Sequence, residues 1–330
     1  MAIPIVALGL PFWLTGLLTR ALLPLCQPRM VPWQDLIAFH PILGWKAKPD
    51  LDAYCLEARA DVFHVRTDPQ GWPGRASVRE SAVVVFGDSY AFGYGVDERA
   101  SFWRAAPQLP VKSIGAPGYN LVQEVLLMRH FAPELGGKLV VWFIYLGNDL
   151  YDNLSPEMSG YRTPFVRKVN GEENWEIVTH HLSLARWSCS SGRQGSFRRQ
   201  IAKALFSESL LAERAYSACE FLIRKGRDIC RHAGAELVVM TIPSPGLLDG
   251  NHSQQPASQR GIASAIDPDY PDRRIGEICD KLRVTFVPLR GRLDDRHYKE
   301  LDDHWNESGH RRVAQVLSDV YRDNLARRSP

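Results

Sequence analysis

Two short blocks, far apart in the chain, carry the side-chain types that nucleophilic catalysis needs. The block FGDSY at 86–90 closes an apolar run with Ser89, and the block DDHWN at 302–306 places two carboxylates directly before His304. A serine hydroxyl is a weak nucleophile until an imidazole takes its proton, and that imidazole needs a carboxylate to orient it. The two blocks therefore predict a Ser89–His304 pair, with Asp302 or Asp303 as the carboxylate.

Two further blocks between these offer hydrogen-bond donors. Gly118 lies in APGYN at 116–120, and Asn148 lies in LGND at 146–149. Each block by itself is also an ordinary turn sequence, because Gly, Pro, Asn and Asp favour turns. Donors aimed at the oxygen of a tetrahedral intermediate stabilise its developing negative charge. We therefore expect the Ser89 and Gly118 amides and the Asn148 side chain to form an oxyanion hole.

The elements that would position these groups alternate between strand and helix. Apolar, β-branched runs predict strands at 83–86, 111–114, 139–146, 237–242 and 284–287, and helical patterns cover about 120–134, 209–232 and 306–326. Such alternation predicts a three-layer α/β/α sandwich with a five-stranded, mainly parallel sheet. In these sheets the active site forms beyond the carboxyl ends of the strands. Ser89, Gly118 and Asn148 each follow a predicted strand, so motifs and topology agree.

The serine, glycine, asparagine and histidine blocks, in this order, resemble those of the SGNH (GDSL-type) hydrolase superfamily. The resemblance covers about residues 82–325 and implies a flavodoxin-like fold and a serine esterase mechanism that needs no metal and no organic cofactor. Many members of the family carry Asp-x-x-His, but here the position three before His304 is Leu301. The Asp-x-His-Trp form, similar to that of the alginate O-acetyltransferase-like branch, favours Asp302. Asp303 stays the alternative.

The resemblance implies a substrate class as well. A serine esterase would remove acyl groups, with acetyl favoured, from a carbohydrate or another envelope-linked molecule. An O-acyltransferase acting on a polysaccharide is the alternative, since a sugar hydroxyl can replace water in the second half of the reaction. A non-catalytic polysaccharide-binding protein is disfavoured, because a binding module has no need of the whole residue set.

Composition narrows the class of protein. The chain has 330 residues and a formal net charge of +3, which is too small to indicate a nucleic-acid partner. Its six cysteines show no CxxC spacing, so neither a zinc site nor a disulfide framework is indicated. We divide the chain into an apolar segment at 1–28, an irregular lead-in at 30–80 with one edge strand near 62–65, and a catalytic domain at 81–330.

The N-terminal segment predicts membrane association. Residues 1–19 carry no charged side chain, and the apolar character continues to Cys26, which is long enough to span a bilayer. We therefore expect residues 1–26 to associate with a bacterial inner membrane, on a side that the sequence leaves open. A helix packed on the protein itself is the alternative.

The predicted catalytic domain carries an insertion at about 150–208. It is rich in aromatic and arginine side chains, which could line a groove for an acylated saccharide or an anionic headgroup. A lid whose aromatic side chains pack on the domain is an equally good interpretation. A second loop, at about 244–272, is rich in Pro, Ser, Gln and Gly and is expected to be mobile.

Overall fold

The computed structural model describes residues 30–56, 62–74, 76–169, 174–188, 205–245, 267–300 and 302–328. In chain order its strands are β1 Met30–Val31, β2 Ile37–His40, β3 Gly44–Ala47, β4 Asp52–Leu56, β5 Val62–Arg66, β6 Val83–Gly87, β7 Val111–Gly115, β8 Leu139–Tyr145, β9 Glu157–Met158, β10 Tyr161–Arg162, β11 Phe165–Lys168, β12 Trp175–Val178, β13 Glu236–Ile242 and β14 Thr285–Pro288. Its α-helices are α1 Ser89–Phe92, α2 Phe102–Ala105, α3 Leu121–Phe131, α4 Asp149–Asp152, α5 Leu210–Ala233, α6 Tyr270–Leu282 and α7 Glu307–Arg328.

The centre of the fold is a five-stranded sheet in the order β14-β13-β8-β6-β7. Every neighbouring pair in it is parallel. All seven residues of β8, LVVWFIY, are buried, as expected for a strand covered on both faces. The predicted fold class is confirmed, and each of the five predicted strands begins and ends within two residues of its expected position.

Helices cover both faces of this sheet. On one face Val84 and Phe86 of β6 join a core cluster with apolar side chains of α3, α5 and α6. On the other face Val83 and Val85 join a cluster with side chains of α1, α2 and α7. Successive residues of one strand thus enter opposite cores, which is the two-residue period of a strand buried on both sides.

Helix α6 was not predicted. Its residues adjoin the Pro-, Ser- and Gln-rich stretch at 244–272, and charged side chains dominate its sequence, YPDRRIGEICDKL. Its apolar side chains nevertheless recur at helical spacing, and Ile275, Ile278, Cys279 and Leu282 are all buried. Packing of these side chains on the sheet therefore stabilises a helix whose amphipathic pattern is too short to predict it from the sequence.

The lead-in is more ordered than expected. The predicted edge strand is β5, but β1, β4 and β5 form a three-stranded sheet, and β2 pairs with β3 as a hairpin. Phe63 and Val65 of β5 share a core cluster with Phe92 and Tyr94 of the α/β unit. Such short strands give weak local signals, because tertiary packing supplies most of their stability. The domain boundary near residue 80 stays a prediction.

The described part of the insertion forms two hairpins, β9–β10 and β11–β12. Its aromatic side chains pack on the lead-in: the ring of Tyr161 lies 6.1 Å from that of Trp45, and the ring of Trp187 lies 5.9 Å from that of Phe39. Residues 189–204, which contain several of the insertion's arginines, lie outside the described residues, as does most of the second loop, at 246–266.

The expected membrane localisation is contradicted by the helices of the structure. In the described ranges no helix combines the length and the apolar character that a bilayer crossing requires. Helix α5 is long enough, at 24 residues, but charged side chains recur along it. Residues 1–28, from which the expectation was drawn, lie outside the described residues.

Replacing Gly226 by alanine tests how closely α5 packs on the sheet. A Cβ at Gly226 would lie 2.6 Å from Cζ3 of the buried Trp142 ring, whereas a Cβ at Gly276 in α6 would meet Phe286 at 3.3 Å. Overpacking costs about 1–3 kcal/mol, against about 1 kcal/mol gained in helix propensity. We expect Gly226→Ala to lower the free energy of unfolding by about 1 kcal/mol, and Gly276→Ala to leave it unchanged or raise it. Urea denaturation measures both, and equal stabilities of the two variants would contradict the packing described.

Candidate active site

Ser89 lies at a sharp transition from strand to helix. Strand β6 ends at Gly87, the Asp88 carboxylate accepts the backbone N–H of Tyr90 at 2.9 Å, and Ser89 is the first residue of α1. Asp88 therefore caps the short helix. Ser89 lies at the carboxyl edge of the sheet and is largely buried, with 9% of the residue exposed.

His304 lies between Ser89 and Asp302. Its Nε2 is 2.7 Å from the Ser89 Oγ, and its Nδ1 is 2.6 Å from the Asp302 Oδ1. The same Asp302 oxygen accepts the backbone N–H of His304 at 3.1 Å. A carboxylate on Nδ1 selects the tautomer whose proton is on that nitrogen, which leaves Nε2 to accept the serine proton.

Asp303 has a different environment. Its Oδ2 accepts the hydroxyl of Tyr145 at 3.1 Å, and its backbone carbonyl accepts the hydroxyl of Tyr90. The Asp303 carboxylate thus faces Tyr145, whereas the Asp302 carboxylate faces the imidazole. Of the two carboxylates that the sequence left open, the structure brings Asp302 to His304.

The segment that carries His304 is fixed from both sides. The backbone N–H of Lys299 donates to the His304 carbonyl at 2.9 Å, and Tyr298 forms a β-bridge with Trp305. The Trp305 side chain is fully buried, with its ring 4.7 Å from that of Tyr90. This packing anchors the segment beside the serine helix, since Tyr90 directly follows Ser89.

Asn306 and His310 hold the start of the last helix. Asn306 Oδ1 accepts the backbone N–H of Gly309 at 3.0 Å, as expected of a helix cap. His310 Nδ1 accepts the backbone N–H of Phe102 at 3.2 Å, and burial lowers the pKa of this imidazole to about 3. A buried histidine that is neutral at pH 7 suits a structural role for His310.

Gly118 follows β7 in a turn held by the lead-in. The Trp45 indole donates to the Pro117 carbonyl at 3.0 Å, and the Tyr119 hydroxyl donates to the Trp45 carbonyl at 2.9 Å. Gly118 has φ of +75°, and a Cβ there would lie 2.4 Å from the Cε of Met158. The left-handed backbone conformation requires glycine at this position, whereas the methyl end of the flexible Met158 side chain has room to shift.

Asn148 directly precedes α4, beyond the end of β8. Its side-chain amide donates to the Asp152 carboxylate at 2.7 Å. A primary amide carries two N–H donors, and this bond uses one of them. The Asn120 amide also donates to the Asp152 carbonyl at 3.1 Å, which joins the turn after Gly118 to the helix after Asn148.

The sheet order explains how these residues come together. Strand β6 lies between β7 and β8, so Ser89, Gly118 and Asn148 follow three adjacent strands at one edge of the sheet. Sequence reasoning missed two residues of this site, Trp45 and Met158. Trp45 stood in a visible Gly-Trp element, but nothing in the sequence indicated that it or Met158 packs on the Gly118 turn.

Besides Asp152, the buried carboxyl groups around the site include Asp88, Glu124 and Asp149. The Asp149 carboxylate accepts the backbone N–H of Tyr145 at 2.7 Å, and Glu124 accepts the indole N–H of Trp142. Burial raises the pKa of Asp88, to about 6, and raises the pKa of Glu124 and Asp149 as well. Their mutual repulsion adds to the effect at Asp149. In the described ranges, no three His, Cys, Asp or Glu side chains are grouped so as to hold a metal ion.

The raised pKa of Asp88 predicts a dependence of stability on pH. Between the unfolded value of 3.8 and about 6 the folded state holds a proton that the unfolded state releases, so the free energy of unfolding falls as pH rises. Asp88→Asn keeps a helix cap and does not titrate. From pH 4 to pH 7 we expect this variant to gain about 2–3 kcal/mol relative to the wild type. Urea denaturation at both pH values measures the difference, and parallel stability profiles would contradict the assignment.

Comparisons with known proteins give structural neighbours only. The sequence matches no protein-family model and no curated protein. Among solved structures, a putative arylesterase from Agrobacterium tumefaciens matches at 15% identity and a TM-score of 0.42, covering 73% of this chain and 98% of the other. A GDSL-like lipase from Bacteroides thetaiotaomicron matches at 11% identity and a TM-score of 0.39, covering 76% of this chain and 92% of the other.

A third neighbour is a mutant acetyl-xylooligosaccharide esterase from Geobacillus, at 12% identity and a TM-score of 0.40, covering 73% of this chain and 94% of the other. These neighbours belong to the SGNH hydrolase superfamily, the family that the four sequence blocks resemble. At such identities and TM-scores, any assignment of chemistry to this chain depends on its own site geometry.

Proposed function

We propose that this protein is a serine ester hydrolase. The observation that carries the proposal is the hydrogen-bonded chain from Ser89 through His304 to Asp302, at the carboxyl edge of a parallel sheet. Nucleophile, base and orienting carboxylate each lie within 2.7 Å of the next group, a separation suited to proton transfer.

In the first half-reaction, Ser89 Oγ attacks the ester carbonyl carbon while His304 Nε2 takes the proton of the serine hydroxyl. The Asp302 carboxylate stabilises the resulting imidazolium. The tetrahedral intermediate then expels the alcohol, which takes its proton from His304, and an acyl group stays on Ser89. Water attacks this ester while His304 again takes a proton, which then returns to Ser89 as the acid leaves.

The oxyanion of each tetrahedral intermediate needs donors at one position. The backbone amides of Ser89 and Gly118 and the side-chain amide of Asn148 are the candidates, because each follows one of three adjacent parallel strands. Losing one such donor typically lowers the rate by about 10²–10³. The Asp152 carboxylate orients the Asn148 amide for this role.

We further propose a short acyl group, with acetyl favoured, carried by a carbohydrate. The Met158 thioether closes the space beside Gly118, which supports a small acyl pocket. The half-buried rings of Tyr161 and Trp187, 4.7 Å apart, lie on the same side as this turn. Aromatic faces of this kind pack on the apolar faces of sugar rings.

Release of p-nitrophenol from p-nitrophenyl acetate by the full chain tests the mechanism. Ser89→Ala and His304→Ala should abolish turnover, because one removes the nucleophile and the other removes the base. Asp302→Asn should lower kcat by about 10³–10⁴ through the wrong imidazole tautomer. Asp303→Asn is the matched control, one residue away, and should stay within tenfold of the wild type. Adding saccharide acceptors to the assay separates hydrolysis from acyl transfer.

Equal losses in the Asp302 and Asp303 variants would overturn the assigned roles of the two carboxylates. Wild-type turnover in a folded Ser89→Ala variant would overturn the serine mechanism itself.

Met158→Ala tests the proposed acyl pocket. Removing the thioether opens space beside Gly118, so the ratio of kcat/KM for p-nitrophenyl butyrate to that for the acetate should rise by about tenfold, which corresponds to about 1.4 kcal/mol. Met240→Ala, a change of the same chemistry in the buried strand β13, serves as the control and should leave the ratio unchanged. An unchanged ratio in Met158→Ala would show that this side chain does not limit the acyl group.

A further inference from the structure

A second concave site lies away from the candidate active site. It is a groove of about 1360 Å³ between the β2–β3 hairpin, α3, the β11–β12 hairpin and α5. None of Ser89, Gly118, Asn148 or His304 lines it. Small-molecule sites usually measure about 300–1000 Å³, so the groove is large enough to hold an extended ligand.

The floor of this groove is apolar. Ile42 in the β2–β3 turn is 52% exposed, one of the more exposed large apolar side chains of the described residues. Half-buried aliphatic and aromatic side chains continue the surface, namely Leu126, Ile177, Phe221 and Ile229, and the buried Trp72 and Trp175 also line the groove. Such a surface favours an alkyl chain, because burying apolar area on both partners releases it from water.

The rim of the groove is basic. Three cationic side chains line the groove, Lys46, Arg129 and Lys225. In the described part of the chain, no carboxylate forms an ion pair with any of the three. Among the described residues, His40, His130 and His232 also line the rim, and burial together with the neighbouring Lys46 lowers the pKa of His40, which favours its neutral form.

The two carboxylates of the groove are already engaged by arginines. Glu176 pairs with Arg167, and Asp228 pairs with Arg227 at 2.7 Å. The net field at the groove therefore favours an anion. Lys46 lies 4.6 Å from the centre of the Trp72 ring, which holds one of the cations directly over the apolar floor.

We propose that this groove binds a single-chain amphiphile with an anionic headgroup, taken up as a monomer from solution. The alkyl chain lies on the apolar floor, and the headgroup lies among Lys46, Arg129 and Lys225. An anionic saccharide fits less well, since among the described residues that line the groove Thr179 is the only one with an uncharged hydroxyl or amide side chain. Most sugar hydroxyls would lose water there without gaining a partner. The inference does not depend on the proposed catalytic function.

Isothermal titration of the full chain with sodium dodecanoate, below the concentration at which it self-associates, tests the proposal. We expect one saturable site, and much weaker binding of dodecyltrimethylammonium, which has the same tail and the opposite charge. Lys225→Glu should weaken dodecanoate binding by about tenfold, the effect of reversing one rim charge. Arg224→Glu is the matched control: it makes the same change one residue earlier in α5, outside the groove, and should bind as the wild type does.

The position of the site is tested separately. Ser89→Ala should bind dodecanoate with unchanged affinity, whereas Ile42→Ser should weaken binding by shortening the apolar floor. Equal affinity for the cationic and anionic detergents would overturn the proposal, as would equal effects of Lys225→Glu and Arg224→Glu. Binding of trigalacturonate in place of dodecanoate would identify an anionic saccharide site and overturn the amphiphile.

Discussion

The candidate site depends on the position of strand β6 between β7 and β8. The carboxyl ends of parallel strands lie at the same edge of the sheet, so the turns that follow these three strands meet there. No long loop is needed to bring them together. Every residue of β6 and β8 is buried, and β6 packs into both core layers. A shift of the register by one residue would turn the side chains of a strand to the opposite face of the sheet. Core packing therefore fixes the register of β6 against β8, and with it the relative positions of Ser89 and Asn148, which follow these strands.

The imidazole comes from outside this sheet and is held by a different kind of contact. The 298–306 segment is anchored by the buried Trp305 and by backbone hydrogen bonds, so the His304 side chain is positioned by packing. The hydroxyl of Tyr90 in α1 donates to the backbone carbonyl of Asp303, and the hydroxyl of Tyr145 in β8 donates to its carboxylate. These contacts turn Asp303 away and leave Asp302 on the imidazole. The hydrogen bonds that satisfy the polar atoms of Asp303 thus also determine which of the two carboxylates faces His304.

Buried acids accompany this arrangement. Asp88, Glu124 and Asp149 are almost fully buried, and burial raises the pKa of each. They serve as hydrogen-bond acceptors, and two of them, Asp88 and Asp149, accept backbone N–H groups next to the site. On the other side the lead-in contributes Trp45 and the insertion contributes Met158, and both side chains lie against the Gly118 turn. The site is therefore built by the α/β unit, the lead-in and the insertion together.

The sequence by itself determined the five-stranded parallel sheet and the blocks around Ser89, Gly118, Asn148 and His304. Those features follow from local patterns: uninterrupted apolar runs, turn residues after strands, and a carboxylate near a histidine. Only the tertiary structure decided between Asp302 and Asp303, because the choice depends on Tyr145, which is far from both in the chain. Helix α6, the small sheets of the lead-in and the roles of Trp45 and Met158 were likewise decided by packing. In each case the stabilising contact joins residues distant in sequence, and no local pattern records it.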